Sequence, residues 1–190
     1  LSACDAKEPL SENRDAEIES PVIANDLSNQ KVTAIAEDTQ GHIWIGTFRG
    51  LNKNNVHDYH QYFCTDDSLG LPDNQITHLL RDSKNRFWVG TVNGVCLYTD
   101  KDNFRIIPIE ADNKNVRQIL EDRNGRIFLN TGFQLYAYHP REEKITCVLP
   151  EISPGNAFYA QCHIAPDNNL WVMTSTGLRC YDPSTLQLKE

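Results

Sequence analysis

A short strand with apolar side chains on both faces recurs four times in this 190-residue chain: in "GHIWIGTFRG" (41–50), "RFWVGTVNG" (86–94), "RIFLNTG" (126–132) and "LWVMTSTG" (170–177). Successive side chains of a strand point to opposite sides of the sheet, so a sheet with one wet face alternates apolar and polar residues. Ile43, Trp44 and Ile45 sit side by side and do not alternate. Such a strand needs cover on both faces, four times over. Trp44, Trp88, Phe128 and Trp171 are spaced by 44, 40 and 43 residues, and Thr47, Thr91, Thr131 and Thr174 each follow three positions later. Strand-like stretches "KVTAIAED", "QITHLLRD", "NVRQILED" and "FYAQCHIA" precede them, joined through the turn residues "TQG", "SKN", "RNG" and "PDN". Gly50, Gly94 and Gly177 close the frame in three copies, and Gln134 stands there in the third.

A third strand follows in "VCLYT", "LYAYH" and "LRCYD", and a weaker fourth in "FRIIP", "KITCVL" and "LQLK"; the first copy is degenerate there, reading "LNKNNVHDYHQYF". Helical periodicity is absent. A period of about 40 residues holding four short strands marks the blades of a β-propeller. A blade is packed between two neighbours, which explains middle strands that are apolar on both faces. The expected fold is all-β: four consecutive four-stranded antiparallel blades at approximately 28–70, 71–112, 113–154 and 155–190, behind a flexible tether over 1–27. The repeated Trp residues are expected as wedges between blades. Gly46 and Gly90 are expected where backbones approach closely.

Composition narrows the partners. Asp and Glu outnumber Lys and Arg 26 to 18, and the net charge of −8 is spread without blocks. Nucleic-acid phosphates need a basic patch, so no nucleic acid is expected through this domain. No window approaches the eighteen or so apolar residues of a membrane helix. The opening "LSAC" resembles a bacterial lipobox, which would make Cys4 a lipidated residue and place the domain outside the cytoplasm. The polar run "DAKEPLSENRDAEIESP" suits a tether.

Catalytic and metal chemistry finds little support. His57, His60 and Cys64, with Asp66 or Asp67, have a spacing that zinc tolerates, but the stretch reads as a polar outer strand and loop, and no metal is assigned. Cys96, Cys147, Cys162 and Cys180 lie in strands without a CxxC pair; they are expected as buried thiols, although three pairings remain open in an oxidising compartment. "EDTQG" and "EDRNG" lack the ligands of a calcium loop, and their carboxylates are expected to bond turn amides. No phosphate loop or kinase motif appears, so neither cofactor nor catalytic residue is assigned. Ligand contacts are expected where the frame varies, at the turn after each second strand: Phe48 and Arg49, Val92 and Asn93, Phe133 and Gln134, Ser175 and Thr176, joined by the blade links "CTDDSLGLPDN" and "LPEISPGNAFY". Of these, Phe48, Arg49, Asn93, Phe133 and Gln134 carry the assignment, because aromatics, Arg and amides suit sugar rings and hydroxyls.

"VTAIAEDTQGHIWIGTFRGL" and "ITHLLRDSKNRFWVGTVNGV" resemble two-component regulator propeller repeats. The resemblance runs over roughly 28 to 190, looser in the third copy (Asn130 and Gln134 for Gly) and in the fourth (Ala165 for Asp). It implies the sensor region of a Bacteroides-type hybrid two-component histidine kinase, on the periplasmic side of the inner membrane. Such a sensor would detect an oligosaccharide and control glycan-utilisation genes by phosphorelay. The family ring has seven blades, so the chain reads as about half of one, with two uncovered blade faces that favour self-association. The implied partners are the remaining blades of the parent, a second parent copy in a homodimer, and the membrane through the lipid anchor or a transmembrane helix not contained here. The alternative is a secreted propeller enzyme, a polysaccharide or lactone-ring lyase. It would need a general base, for which His78, six residues before Lys84, and His163 are the candidates.

Overall fold

The computed structural model describes residues 21–65, 70–99, 101–150, 161–174 and 177–189. Sixteen strands and no helix are found among them, in four antiparallel sheets. The first sheet holds β1 (Val22–Ala24), β2 (Val32–Glu37), β3 (Ile43–Thr47), β4 (Gly50–Asn54) and β5 (Tyr59–Tyr62) in the order β1-β5-β4-β3-β2. The second runs β6 (Ile76–Arg81), β7 (Phe87–Thr91), β8 (Gly94–Tyr98) and β9 (Phe104–Ile107). The third runs β10 (Gln118–Glu121), β11 (Ile127–Asn130), β12 (Leu135–His139) and β13 (Lys144–Leu149). The fourth holds β14 (Gln161–Ile164), β15 (Leu170–Thr174) and β16 (Gly177–Tyr181), with a single bridge between Tyr181 and Leu188 in place of a fourth strand. The first strands of successive sheets are neighbours, β2 beside β6, β6 beside β10 and β10 beside β14. These are propeller blades.

Three apolar clusters fill the three junctions. Trp44 of the first blade is fully buried against Phe87 and Tyr98 of the second, Trp88 against Tyr138 of the third, and Phe128 against Leu170, Val172 and Tyr181 of the fourth. These three frame aromatics therefore each wedge into the following blade. All residues of β7 and β11, which have blades on both sides, are buried, whereas β3 exposes Ile43 and β15 exposes Met173. Trp171 departs from the expected wedge between two blades. It is half-buried because its face, shared with Met173 and Leu178, has no further blade to enter among the described residues. Val32, Ile35 and Ile43 form the matching open surface on the first blade.

Close approach explains Gly46. A methyl group there would sit 2.5 Å from Ile76 Cγ2 of the next blade, too near for any larger residue. Two expectations need correction. Val22–Ala24, read as tether, pairs with β5 (Val22 opposite Gln61), and the segment behind it is bonded to the blade: Gln61 Nε2 donates to Asp26 O at 2.8 Å and Ser28 N to Asn52 Oδ1 at 2.8 Å. The segment satisfies Asn52 and Gln61, buried amides that would otherwise be costly on an uncovered face. Cys147, expected as a buried thiol, is exposed, because β13 is an edge strand.

Candidate functional site

The candidate ligand residues lie in the β3–β4, β7–β8 and β11–β12 turns, at one end of their blades. The frame threonines shape these turns: Thr47 Oγ1 donates to Gly50 O at 2.8 Å, Thr91 Oγ1 to Gly94 O at 3.0 Å and Thr131 Oγ1 to Gln134 O at 3.3 Å. The same oxygens of Thr47 and Thr91 accept from the amides of Arg49 and Asn93, at 3.1 and 3.2 Å. Arg49, Asn93 and Phe133 are exposed, while Phe48 and Gln134 are half-buried. Phe48 carries the Lys31 ammonium 3.7 Å from its ring centre, and Gln134 Oε1 accepts from the Tyr136 hydroxyl at 2.5 Å. The third turn shows why Gln134 replaces glycine. Gly50 and Gly94 adopt φ of 125° and 136°, whereas here Gly132 takes the left-handed conformation at φ 92° and relieves position 134 of it. Ser175, Thr176, Cys4, Asp66 and Asp67, with parts of both blade links, lie outside the described residues.

The opposite end carries the charged chemistry. Asp38 and Asp122 each start a hairpin turn and accept from backbone amides two and four residues on, as expected, and Asp82 does the same. Asp38 and Asp82 each do more, since Trp44 Nε1 donates to Asp38 Oδ2 at 2.9 Å and Trp88 Nε1 to Asp82 Oδ2 at 2.8 Å. Burial alone would raise the Asp38 pKa, but the indole N–H and the donors of His42 and Gln40 outweigh it and hold the carboxyl below its ordinary value. Asp102 is lowered in the same way, burial being outweighed by the Tyr62 and Tyr98 hydroxyls, both donating to its Oδ1 at 2.7 Å. The same burial and carboxylate push both phenols up.

A carboxyl depressed in the folded state stabilises the fold above the unfolded pKa, and that contribution is lost as pH falls through and below 3.8. The urea midpoint is therefore expected to hold between about pH 7 and 5 and to drop below about pH 4. Asp38→Asn should flatten that acid limb; an unchanged slope would rule out Asp38 as a contributor.

His78 in β6 is half-buried, bonded to the Ile119 backbone and held below the ordinary imidazole pKa by burial. His163 is exposed in β14 opposite Trp171. The two lie on the first strands of different blades, β6 and β14, with β10 between them. Among the described residues, Cys96, Cys147, Cys162 and Cys180 are free thiols. Among the described residues no three His, Cys, Asp or Glu side chains are grouped to hold a metal, and no helix is long and apolar enough to cross a membrane. Two cavities, of about 240 and 350 Å³, open among the Asp38-type turns, and none of the five candidate ligand residues lines either.

Residues 26–49 and 70–93 match the two component regulator propeller family. No curated protein matches the chain. Among solved structures, the extracellular domain of the putative hybrid two component system BT4673 from B. thetaiotaomicron is similar at a TM-score of 0.67 and 24% identity, over 84% of this chain and 22% of that one. The extracellular domain of BT3049 from the same organism gives 0.55 and 17%, over 89% and 31%. Virginiamycin B lyase from Staphylococcus aureus gives 0.64 and 19%, over 89% and 58%. The chain thus spans about a fifth of the BT4673 domain, and at these identities the likeness is one of fold.

Proposed function

We propose that this chain, which carries two-component regulator propeller repeats, is the ligand-sensing propeller part of an extracytoplasmic sensor in a hybrid two-component system. The family match of its first two blades carries this reading. The ligand is an oligosaccharide, met by Phe48, Arg49, Asn93, Phe133 and Gln134 at the variable turns of one blade end. Further blades of a longer parent cover the open faces at Ile35 and at Trp171, and a parent homodimer passes the signal to a histidine kinase. Lipidation of Cys4, or a transmembrane helix elsewhere in the parent, fixes the sensor to the periplasmic side of the inner membrane.

With the ligand pocket shared among blades, this chain alone should bind oligosaccharides at millimolar affinity or not at all. The complete ectodomain should bind at micromolar affinity, a gap of about 4 kcal/mol. Calorimetry with an oligosaccharide panel reads this directly. Alanine at Phe48, Arg49 and Phe133 in the complete ectodomain should weaken binding more than changes in the tether. A second reading, a propeller lyase with His78 or His163 as base, draws on the fold shared with virginiamycin B lyase. Turnover of any sugar or lactone substrate by this chain would favour it over the sensor.

A further inference from the structure

The cavity of about 240 Å³ between the first and second blades has features of a built anion site. Lys53 of β4 and Arg81 at the end of β6 both line it, and among the described residues neither has a carboxylate within ion-pair distance. The Lys53 ammonium lies 5.3 Å from the Trp44 ring and 5.4 Å from that of Tyr98, its only hydrogen bond among the described residues being a 3.4 Å contact to the Tyr98 hydroxyl. Arg81 spends one nitrogen on Asp38 O at 3.2 Å. The Asp38 carboxylate itself is engaged by Trp44 and by His42. Asp102 receives both tyrosine hydroxyls on Oδ1, which leaves Oδ2 without a protein donor among the described residues. Thr39, Gln40, Asn85 and the Phe87 ring complete the wall.

A cavity also opens between the third and fourth blades, but a lining with both Lys53 and Arg81 is particular to the first junction. At the next one, the Arg86 guanidinium lies 5.2 Å from the rings of both Trp88 and Tyr138, the place the Lys53 ammonium takes over Trp44 and Tyr98. The first blade has His42 at the sequence position of Arg86, turned onto Asp38, and has Lys53 where the second blade has Leu97. Both junctions thus set a cation over the two rings, but Arg86 is paired with Asp82 at 2.6 Å, whereas Lys53 has no carboxylate within ion-pair distance among the described residues.

We propose that this cavity binds a carboxylate-bearing sugar, a hexuronate unit, with its carboxylate on Lys53 and Arg81, its hydroxyls on Asp102 and Asn85 and a C–H face against Phe87 and Tyr98. The preference for an anion stands on the two cations; the choice of a sugar among small acids rests on the glycan reading above. Planar aromatic walls suit a pyranose ring, and the guanidinium fork suits a carboxylate.

Saturation-transfer NMR and calorimetry on the 190-residue chain test this with methyl β-glucuronide, methyl β-glucoside and acetate. The glucuronide should bind at about millimolar affinity, at least about tenfold more tightly than either comparison compound, and more weakly at high salt. Lys53→Met, which keeps the stem over Trp44 and Tyr98, and Arg81→Gln should each weaken it about tenfold while leaving the denaturation midpoint in place. Phe48→Ala with Arg49→Ala should leave it unchanged. Absent glucuronide binding, equal binding of glucoside or acetate, or loss through Phe48 and Arg49 instead of Lys53 would each overturn the proposal. Neutral oligosaccharide binding by the complete ectodomain, with no glucuronide bound here, would sink the cavity site and leave the sensor reading intact.

Discussion

Trp44→Ala should destabilise the protein by about 3–5 kcal/mol, the range for a buried tryptophan truncated to alanine. The side chain has no exposure, its ring lies 5.5, 5.0 and 4.6 Å from those of Tyr62, Phe87 and Tyr98, and its N–H is a ligand of Asp38. Removing it opens a cavity across the junction of two blades and leaves a carboxylate short of a donor. Trp44→Phe separates the two effects. It keeps most of the packing and should cost about 1–2 kcal/mol, mainly for the lost hydrogen bond. Trp171→Ala is the control, since the same frame position on the fourth blade is half-buried on a face without a following blade among the described residues. Its cost should stay below about 2 kcal/mol, a partial burial term. Urea titrations with unchanged slope measure all three. If Trp171→Ala cost as much as Trp44→Ala, wedging into the next blade would not be what stabilises the frame aromatics.

That contrast shows what a reader of the sequence can and cannot see. Continuous apolar runs in FWVGT and IFLNT are a local signal, and the strands they mark are covered on both sides. The turn role of Asp38, Asp82 and Asp122 is equally local, because an Asx turn closes within four residues. The reach of Asp38 and Asp82 to an indole six residues on was missed. It is set by strand pairing, although the spacing from Asp to Trp is constant in the first two copies. Val22–Ala24 was missed for a different reason: three residues show no periodicity, and the partner strand lies nearly forty residues away. The cavity beside Lys53 was illegible, since it depends on how one blade's Asp38 and Lys53 face another blade's Tyr98 and Asp102. The candidate ligand turns follow from the hairpin topology that the frame repeats.

Asp82→Ala should cost about 3–5 kcal/mol, as removal of one partner from a buried ion pair does. The Asp82 side chain is fully buried and accepts four hydrogen bonds: from the amides of Lys84 and Arg86 at 3.0 and 2.9 Å, from Arg86 Nε at 2.6 Å and from Trp88 Nε1 at 2.8 Å. Alanine frays the hairpin turn, strands the indole N–H in the core and leaves the Arg86 guanidinium, stacked between Trp88 and Tyr138, without its counter-charge. Asp122 supplies an internal comparison. It makes the same turn and binds Arg126 at 2.9 Å, but the frame aromatic there is Phe128, which has no N–H to offer. Asp122→Ala should therefore cost about 1–2 kcal/mol less. In the fourth blade the aspartate is already absent: Ala165 occupies its place, and the neighbouring Asp167 accepts the Asn169 amide at 3.0 Å. A double-mutant cycle between Asp82→Ala and Trp88→Phe isolates the indole bond and should give a coupling of about 1–3 kcal/mol. Zero coupling, or equal losses at Asp82 and Asp122, would mean that the carboxylate serves the turn and its arginine alone.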